Sequence, residues 1–233
     1  GLFPFSLPSF NIGIYMLTML DSELYPDNCE VVELSLYNQY VYLIQKNGTS
    51  SLRKDIRNEK LRVYKNTEIS QLPIIDVYIR DPLSRYISGI NTYLQHLQRD
   101  YNGLDPDTCF WFATKYNFLN RHYLPQFLWL VNVSRFISPE CQINLRKFSD
   151  IGKITNNTSR AGILPATTEF EKKLTQSLSD DLKLWLFIDQ MLEDMCGSSY
   201  TFKDIVSTLQ KHPSGSYNIL IQKFIEVANN VLP

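Results

Sequence analysis

The sequence predicts an α/β fold, because short β-favouring runs are followed by stretches with helical spacing. Two apolar runs, Tyr40–Gln45 and Leu72–Ile79, have the length and the β-branched and aromatic content of buried strands. After the second run, apolar residues recur with the period of a helix, and much of the chain beyond residue 165 does the same. We expect one domain over residues 1–233, with an irregular arm over 1–38 and a helical part over 165–233.

Composition excludes several classes of function. The chain has 233 residues, of which 44% are hydrophobic, enough for a sizeable single core. Lys and Arg number 23 against 24 Asp and Glu, so no strong charge field favours nucleic acid or an anionic membrane. No apolar run reaches the roughly 18 residues that a transmembrane helix needs. We expect no nucleic-acid partner and no transmembrane segment, and any anion site must be local.

Cysteine usage and one sequon suggest a compartment. The four cysteines (Cys29, Cys109, Cys141 and Cys196) are widely spaced and include no CxxC pair, which predicts free thiols in a reducing compartment rather than a zinc site. The sequon Asn47-Gly48-Thr49 lies inside the polar loop that follows the first predicted strand, where a glycan would block the binding of an anion. Both observations favour the cytoplasm.

A polar loop follows the first predicted strand and precedes a helix-like pattern from Ser50 to Ile56. Such a loop offers backbone N–H groups, the positive end of a helix dipole, hydroxyl donors and one lysine, which together suit a phosphate or sulfate ester. The lysine precedes the glycine, unlike the order in a Walker A loop. The candidate anion-binding residues are Lys46, Asn47, Gly48, Thr49, Ser50 and Ser51.

A second polar segment follows the second predicted strand. Asp81 is placed to cap a helix that begins at Pro82 and runs to about Arg99. Arg80 stands at the strand end and Ser88 lies two turns into the helix. A guanidinium at a strand end, together with a hydroxyl donor that the next helix holds rigidly, suits a dianionic phosphate. Arg80 and Ser88 therefore form a second group of candidate anion-binding residues.

A histidine in the middle of the chain is a candidate general base, which would take the proton of a substrate hydroxyl. His122 lies in Asn120–Gln126, and a histidine titrates close to neutral pH. A structural histidine that bonds the backbone is the alternative. Should His122 be structural, Asp55 or Glu59 would be the proton acceptor.

The remaining elements follow from apolar spacing and turn residues. Further strands are expected near Val31–Leu36, Phe127–Val133 and Cys141–Leu145, and a solvent loop over residues 150–160. Further helices are expected at Tyr15–Leu20, at Asp105–Asn117, around Phe170, Leu174 and Leu178, after Ser179 with Leu182, Trp185, Ile188, Leu192 and Met195 on one face, at Thr201–Leu209 and at Tyr217–Val231.

Several of these segments resemble motifs of the sulfotransferases that use 3′-phosphoadenosine-5′-phosphosulfate (PAPS). The loop from Lys46 to Leu52 is similar to their 5′-phosphosulfate loop, Pro-Lys-x-Gly-Thr-Thr/Ser-Ser-Leu, although Gln45 replaces the usual proline. The segment from Arg80 to Ser88 matches Arg-Asp-Pro-x-x-Arg-x-x-Ser, which binds the 3′-phosphate in that family.

Two more segments resemble the carbohydrate-type branch of the same family. His122 to Gln126 matches His-x-x-Pro-Gln, with Tyr123 where tryptophan is common, and Ile151-Gly152-Lys153 resembles the end of a Tyr/Phe-x-x-Ile-Gly-Lys stretch near the nucleotide. The resemblance covers mainly residues 40–160.

The resemblance implies a three-layer, P-loop-like α/β domain in which helices flank a central parallel sheet and the cofactor lies at the carboxyl ends of the strands. It implies PAPS as co-substrate, no metal, and sulfuryl transfer to a hydroxyl or amine of a small-molecule or glycan acceptor, with Lys46 and His122 as catalytic residues. The cofactor-binding residues would be Lys46, Asn47, Gly48, Thr49, Ser50, Ser51, Arg80 and Ser88.

Two alternatives stay open at this point. One is a sulfotransferase-like protein that binds PAPS or its product without turnover, since Gln45 departs from the motif. The other is a nucleotide-dependent kinase-like enzyme, disfavoured because the sequence has neither a Walker A loop nor a recognisable acidic magnesium motif.

Overall fold

The structure is a computed structural model. It describes residues 30–34, 37–44, 47, 63–64, 66–89, 125–153, 172, 176 and 180–211. Within these ranges the chain forms a six-stranded sheet with the order β3-β1-β2-β4-β5-β6. The strands are β1 (Val31–Leu34), β2 (Gln39–Tyr42), β3 (Val63–Tyr64), β4 (Ile74–Ile79), β5 (Gln142–Lys147) and β6 (Ser199–Tyr200).

The sheet is mixed rather than wholly parallel. β2, β4 and β5 are parallel and form its centre, whereas β1, β3 and β6 pair antiparallel to their neighbours. The expected α/β class is confirmed, but the expectation of a parallel sheet holds only for the central strands. β1 and β2 are joined by a short turn in which Asn38 adopts a positive φ of 49°. Asparagine tolerates that conformation, and so short a connection permits only an antiparallel pair.

Helices follow several of the strands. They are α1 (Asn66–Ile69), α2 (residues 82–89), α3 (Gln126–Ser134), α4 (Asp180–Asp194) and α5 (Phe202–Gln210), together with a 3₁₀ helix at Phe148–Lys153. Residues 172 and 176 are also helical.

Local sequence signals placed most of these elements. The strands expected near Val31–Leu36, Tyr40–Gln45, Leu72–Ile79 and Cys141–Leu145 coincide with β1, β2, β4 and β5. β1 lies within residues 1–38, so the end of the expected irregular arm is part of the sheet. α2 begins at Pro82, and Asp81 caps it by accepting the Ser84 N–H at 2.7 Å, as predicted.

The strand predicted at Phe127–Val133 is wrong, because this stretch is the helix α3. Every residue from Gln126 to Val133 is buried, so the helix is buried on all sides and has no exposed polar face that would reveal a helical period. A short apolar run of this kind cannot be assigned to helix or strand from periodicity. Pro125, which occupies the N-cap position, was the available sign of a helix start.

The C-terminal part and the predicted solvent loop also need correction. α4 and α5 lie where helices were expected, and Thr201 caps α5 by accepting the Asp204 N–H at 3.1 Å. Between them β6 joins the sheet, so residues 165–233 are not purely helical. Part of the predicted loop at 150–160 is the end of the 3₁₀ helix, where Ile151 is buried.

The main core lies between one face of the sheet and helices α3, α4 and α5. Ile75, Val77 and Ile79 of β4 are buried there against residues such as Leu128 and Ile188. The other face carries a smaller cluster with six buried members, Val32, Leu34, Val41, Leu43, Tyr78 and Ile151. The 3₁₀ helix therefore packs on the face opposite to α3.

Several predicted elements lie outside the described residues. These are the helices at Tyr15–Leu20, Ser50–Ile56, Asp105–Asn117 and Tyr217–Val231, the cap at Ser179 and the part of the long helix from 90 to Arg99. In the part of the chain that the structure describes, no helix is both long enough and apolar enough to cross a membrane.

Candidate functional site

Two central strands bring one residue from each predicted anion-binding segment, Asn47 and Arg80, to one edge of the sheet. β2 and β4 are parallel neighbours, with Val41 opposite Asp76 and Tyr42 opposite Val77. Parallel neighbours end at the same edge, where ligands of open α/β sheets commonly bind. The loop that contains Asn47 follows β2, and Arg80 directly follows β4.

Asn47 attaches its loop to the end of β4. Its side chain is buried, and Nδ2 donates hydrogen bonds to the Tyr78 carbonyl at 2.7 Å and to Gln126 Oε1 at 2.6 Å. Its backbone N–H donates to the Ile44 carbonyl at 3.1 Å, which closes a turn directly after the strand. Both Nδ2 hydrogens are thus used to hold the loop in place.

The side chain of Gln126 joins the loop to Arg80. Oε1 accepts the Arg80 N–H at 2.9 Å as well as the Asn47 amide, and Nε2 donates to the Arg80 carbonyl at 2.9 Å. The carboxamide therefore pairs with both backbone groups of Arg80, as another strand would. With zero exposure, Gln126 cannot exchange these bonds for water at low cost.

Asp189 holds the start of α3, and through it Gln126. Its Oδ2 accepts the Gln126 N–H at 2.8 Å and its Oδ1 accepts the Phe127 N–H at 3.0 Å. The carboxylate thus satisfies two of the free N–H groups at the helix N-terminus, where negative charge is favoured. Burial nevertheless raises the pKa of Asp189 to about 6, although these hydrogen bonds and the charge of Arg85 act in the opposite direction.

Arg80 lies against an aromatic ring that directly follows the third central strand, β5. The guanidinium carbon of Arg80 lies 4.7 Å from the ring centroid of Phe148, at the start of the 3₁₀ helix that follows β5. Burial lowers the pKa of Arg80 from its ordinary value, while Asp81 acts in the opposite direction. Arginine nonetheless stays charged at neutral pH, so the edge carries a partly desolvated and oriented cation.

The motif residues Arg85 and Ser88 on helix α2 differ in burial. Arg85 is buried at 2% exposure, and its charge acts on Asp189, so this motif arginine belongs to the interior. Ser84 and Ser88, one turn apart on α2, are both only partly buried. Ser88 therefore lies at the border of the protein interior on the helix that follows Arg80.

Many of the predicted site residues lie outside the described residues. The structure brings together Asn47 and Arg80, with Ser88 on the adjoining helix. Outside the described ranges are Lys46, Gly48, Thr49, Ser50, Ser51, His122 and the alternative proton acceptors Asp55 and Glu59.

Sequence reasoning missed two residues of this site, Gln126 and Asp189. Gln126 was part of the His-x-x-Pro-Gln match but received no role. Asp189 stands four residues after Trp185 and three before Leu192, in the apolar stripe of α4. A carboxylate at a core position of a helix was the signal that could have found it, because buried carboxylates are rare without partners.

The two described cysteines do not provide a nucleophile. Cys141 and Cys196 are free, and burial raises the pKa of Cys141 to about 11 and that of Cys196 to about 12. Their thiols are therefore protonated at neutral pH and unreactive. Among the described residues no group of three His, Cys, Asp or Glu side chains is placed to hold a metal ion.

Comparison of the chain with protein-family models, with curated proteins and with solved structures found no match. The assignment of this site therefore depends on the geometry above and on the sequence motifs.

Proposed function

We propose that the protein is a sulfotransferase that transfers a sulfuryl group from PAPS to a hydroxyl or amine acceptor. One observation carries the proposal. Asn47 after β2 and Arg80 after β4, which belong to the segments that resemble the 5′-phosphosulfate and 3′-phosphate sites of that family, lie at one sheet edge and are both bonded to Gln126.

The surroundings of Arg80 support the same function. Phe148 occupies the aromatic position of the Tyr/Phe-x-x-Ile-Gly-Lys stretch, and its ring lies against the Arg80 guanidinium. The third motif segment therefore meets the second at the carboxyl ends of the central strands. A guanidinium held in this way is prepared to bind a phosphate, because little side-chain freedom remains to be lost.

The reaction is an in-line displacement at sulfur. A bond forms between the acceptor oxygen or nitrogen and sulfur, while the bond from sulfur to the oxygen of the 5′-phosphate breaks and leaves its electron pair on that oxygen. Lys46 and the N–H groups of residues 48–51 stabilise this charge. His122, or else Asp55 or Glu59, takes the proton of the acceptor. The products are the sulfated acceptor and 3′-phosphoadenosine-5′-phosphate, the product nucleotide.

The proposal also includes the three-layer, P-loop-like form of the domain, the binding of PAPS without a metal, and a carbohydrate or other small molecule as acceptor. The free thiols and the position of the sequon inside the anion loop favour action in the cytoplasm.

Arg80→Ala should remove the preference of the protein for a 3′-phosphate. The unaltered protein should bind the product nucleotide at least about tenfold more tightly than AMP or ATP, which corresponds to about 1.4 kcal/mol. The variant should lose most of this difference, because a charge-assisted contact to the 3′-phosphate is gone. Isothermal titration calorimetry with the three nucleotides measures the effect.

Arg135→Ala is the matched control, since Arg135 also lies over a phenylalanine ring, 5.8 Å from the centroid of Phe136, at the end of α3. It should leave the preference unchanged. Equal affinities for the three nucleotides in the unaltered protein would contradict the proposal, and tighter binding of ATP would favour the kinase-like alternative. An assay of labelled sulfate transfer over a panel of acceptors separates an enzyme from a protein that only binds PAPS.

A further inference from the structure

The carboxamide of Gln126 bonds residues of both segments of the proposed site. It binds the side chain of Asn47 on one side and both backbone groups of Arg80 on the other, with distances between 2.6 and 2.9 Å. Its exposure is zero, so the carboxamide itself is shielded from water.

The position of Gln126, which bridges Asn47 and Arg80, is itself fixed by Asp189 and by the packing of α3. Asp189 of α4 accepts the backbone N–H groups of Gln126 and Phe127, which locks the first turn of α3. The rest of α3 is buried as far as Val133, with Phe127, Leu128 and Leu130 at zero exposure. Gln126 therefore cannot shift along the sheet edge without moving a packed helix, and the spacing that it sets is rigid.

Without Gln126, the hydrogen bond from Asn47 to β4 would fix the distance between the two segments less firmly. Asn47 Nδ2 also binds the Tyr78 carbonyl, which ties the loop to β4 but not to Arg80. The hydrogen bonds of Gln126 reach Arg80 itself, one residue beyond the end of β4 at Ile79. The two anion-binding segments thus have a common reference point at this one amide.

We infer that Gln126 is a positioning residue that sets the distance between the two anion-binding segments, and so selects nucleotides that carry an anionic group at both the 3′ and the 5′ position. This inference rests on the proposed function. When two sites are held at a fixed distance, the second contact of a doubly charged ligand forms as an intramolecular step. If the bridge is lost, each segment still binds its own group, but the advantage of binding both together falls.

Gln126→Met tests the inference, because methionine has a similar length but cannot make the three hydrogen bonds. The control is Gln190→Met on α4, where the amide makes an exposed hydrogen bond to Asp194 at 3.2 Å. Affinities for the product nucleotide, for 3′-AMP and for 5′-AMP are measured by calorimetry. We expect Gln126→Met to bind the product nucleotide about tenfold more weakly while both monophosphates change less than about twofold, and Gln190→Met to behave as the unaltered protein.

A second variant keeps the inference testable if Gln126→Met does not fold. Asn47→Ala removes the loop side of the bridge and leaves α3 and its contact with Arg80 intact, and it should lower the preference for the product nucleotide in the same way. If either folded variant keeps the full preference, the inference is overturned. If the unaltered protein has no preference for the product nucleotide, the proposed function itself fails, which is a distinct result.

Discussion

Lys46→Ala should lower turnover at saturating PAPS by on the order of a hundredfold or more, the range for the loss of one preorganised electrostatic donor. Lys46 precedes Gly48 in the loop after β2, which in the proposed site places it beside the transferring group rather than the adenosine. Its positive charge would stabilise the negative charge that develops on the leaving oxygen. Labelled sulfate transfer to an acceptor found in the panel measures the effect.

The control for this prediction is Lys203→Ala, since Lys203 is exposed on α5. It should leave turnover unchanged, and Lys46→Ala should weaken binding of the product nucleotide far less than it lowers turnover. A variant with weaker nucleotide binding but normal turnover at saturation would show that Lys46 only anchors the ligand. That result would remove Lys46 from the catalytic step.

Asp189→Ala should destabilise the protein by about 2–5 kcal/mol, because each buried N–H group that loses its acceptor costs about 1–3 kcal/mol. The variant leaves two buried backbone N–H groups at the start of α3 without their acceptor, and it removes a carboxylate on which the charge of the buried Arg85 acts. Urea unfolding at neutral pH measures the loss. The control is Asp194→Ala on the exposed end of the same helix, which should change stability by no more than about 0.5 kcal/mol.

The pH dependence of Asp189→Asn provides a second check on the same group. Burial raises the pKa of Asp189 from 3.8 to about 6, so the folded state prefers the protonated carboxyl. Its contribution to stability is complete below the pKa of the unfolded chain and is lost as the pH rises through 6. The stability of the unaltered protein relative to Asp189→Asn should therefore be higher at pH 5 than at pH 7, by about 1 kcal/mol. A difference of the opposite sign would mean that the hydrogen bonds at α3 outweigh burial.

The central strands and the start of α2 could be predicted because their signals are local. Pro73 before β4 and the pair Asp81-Pro82 after it mark both boundaries within a few residues. The antiparallel edges of the sheet are different, since β3 and β6 are only two residues long and pair with distant partners. No local pattern specifies such pairings, which depend on the rest of the fold.

The difference between local signals and contacts between distant residues also explains which parts of the site could be predicted. Arg80 follows from a strand end and a helix cap, which the sequence shows. The bridge from Gln126 to Asn47 and the support from Asp189 join positions that are 79 and 63 residues apart. Such contacts become visible only when α3 is recognised as a helix, and its continuous apolar run at residues 127–131 concealed this.

A crystal structure with the product nucleotide bound tests the central claim most directly. We predict the 3′-phosphate within about 3 Å of the Arg80 guanidinium and the Ser88 hydroxyl, and the 5′-phosphate in the loop that contains Asn47, with the hydrogen bonds of Gln126 in place. A nucleotide bound elsewhere, or one whose 3′-phosphate lies away from Arg80, would contradict the proposed site and the function that depends on it.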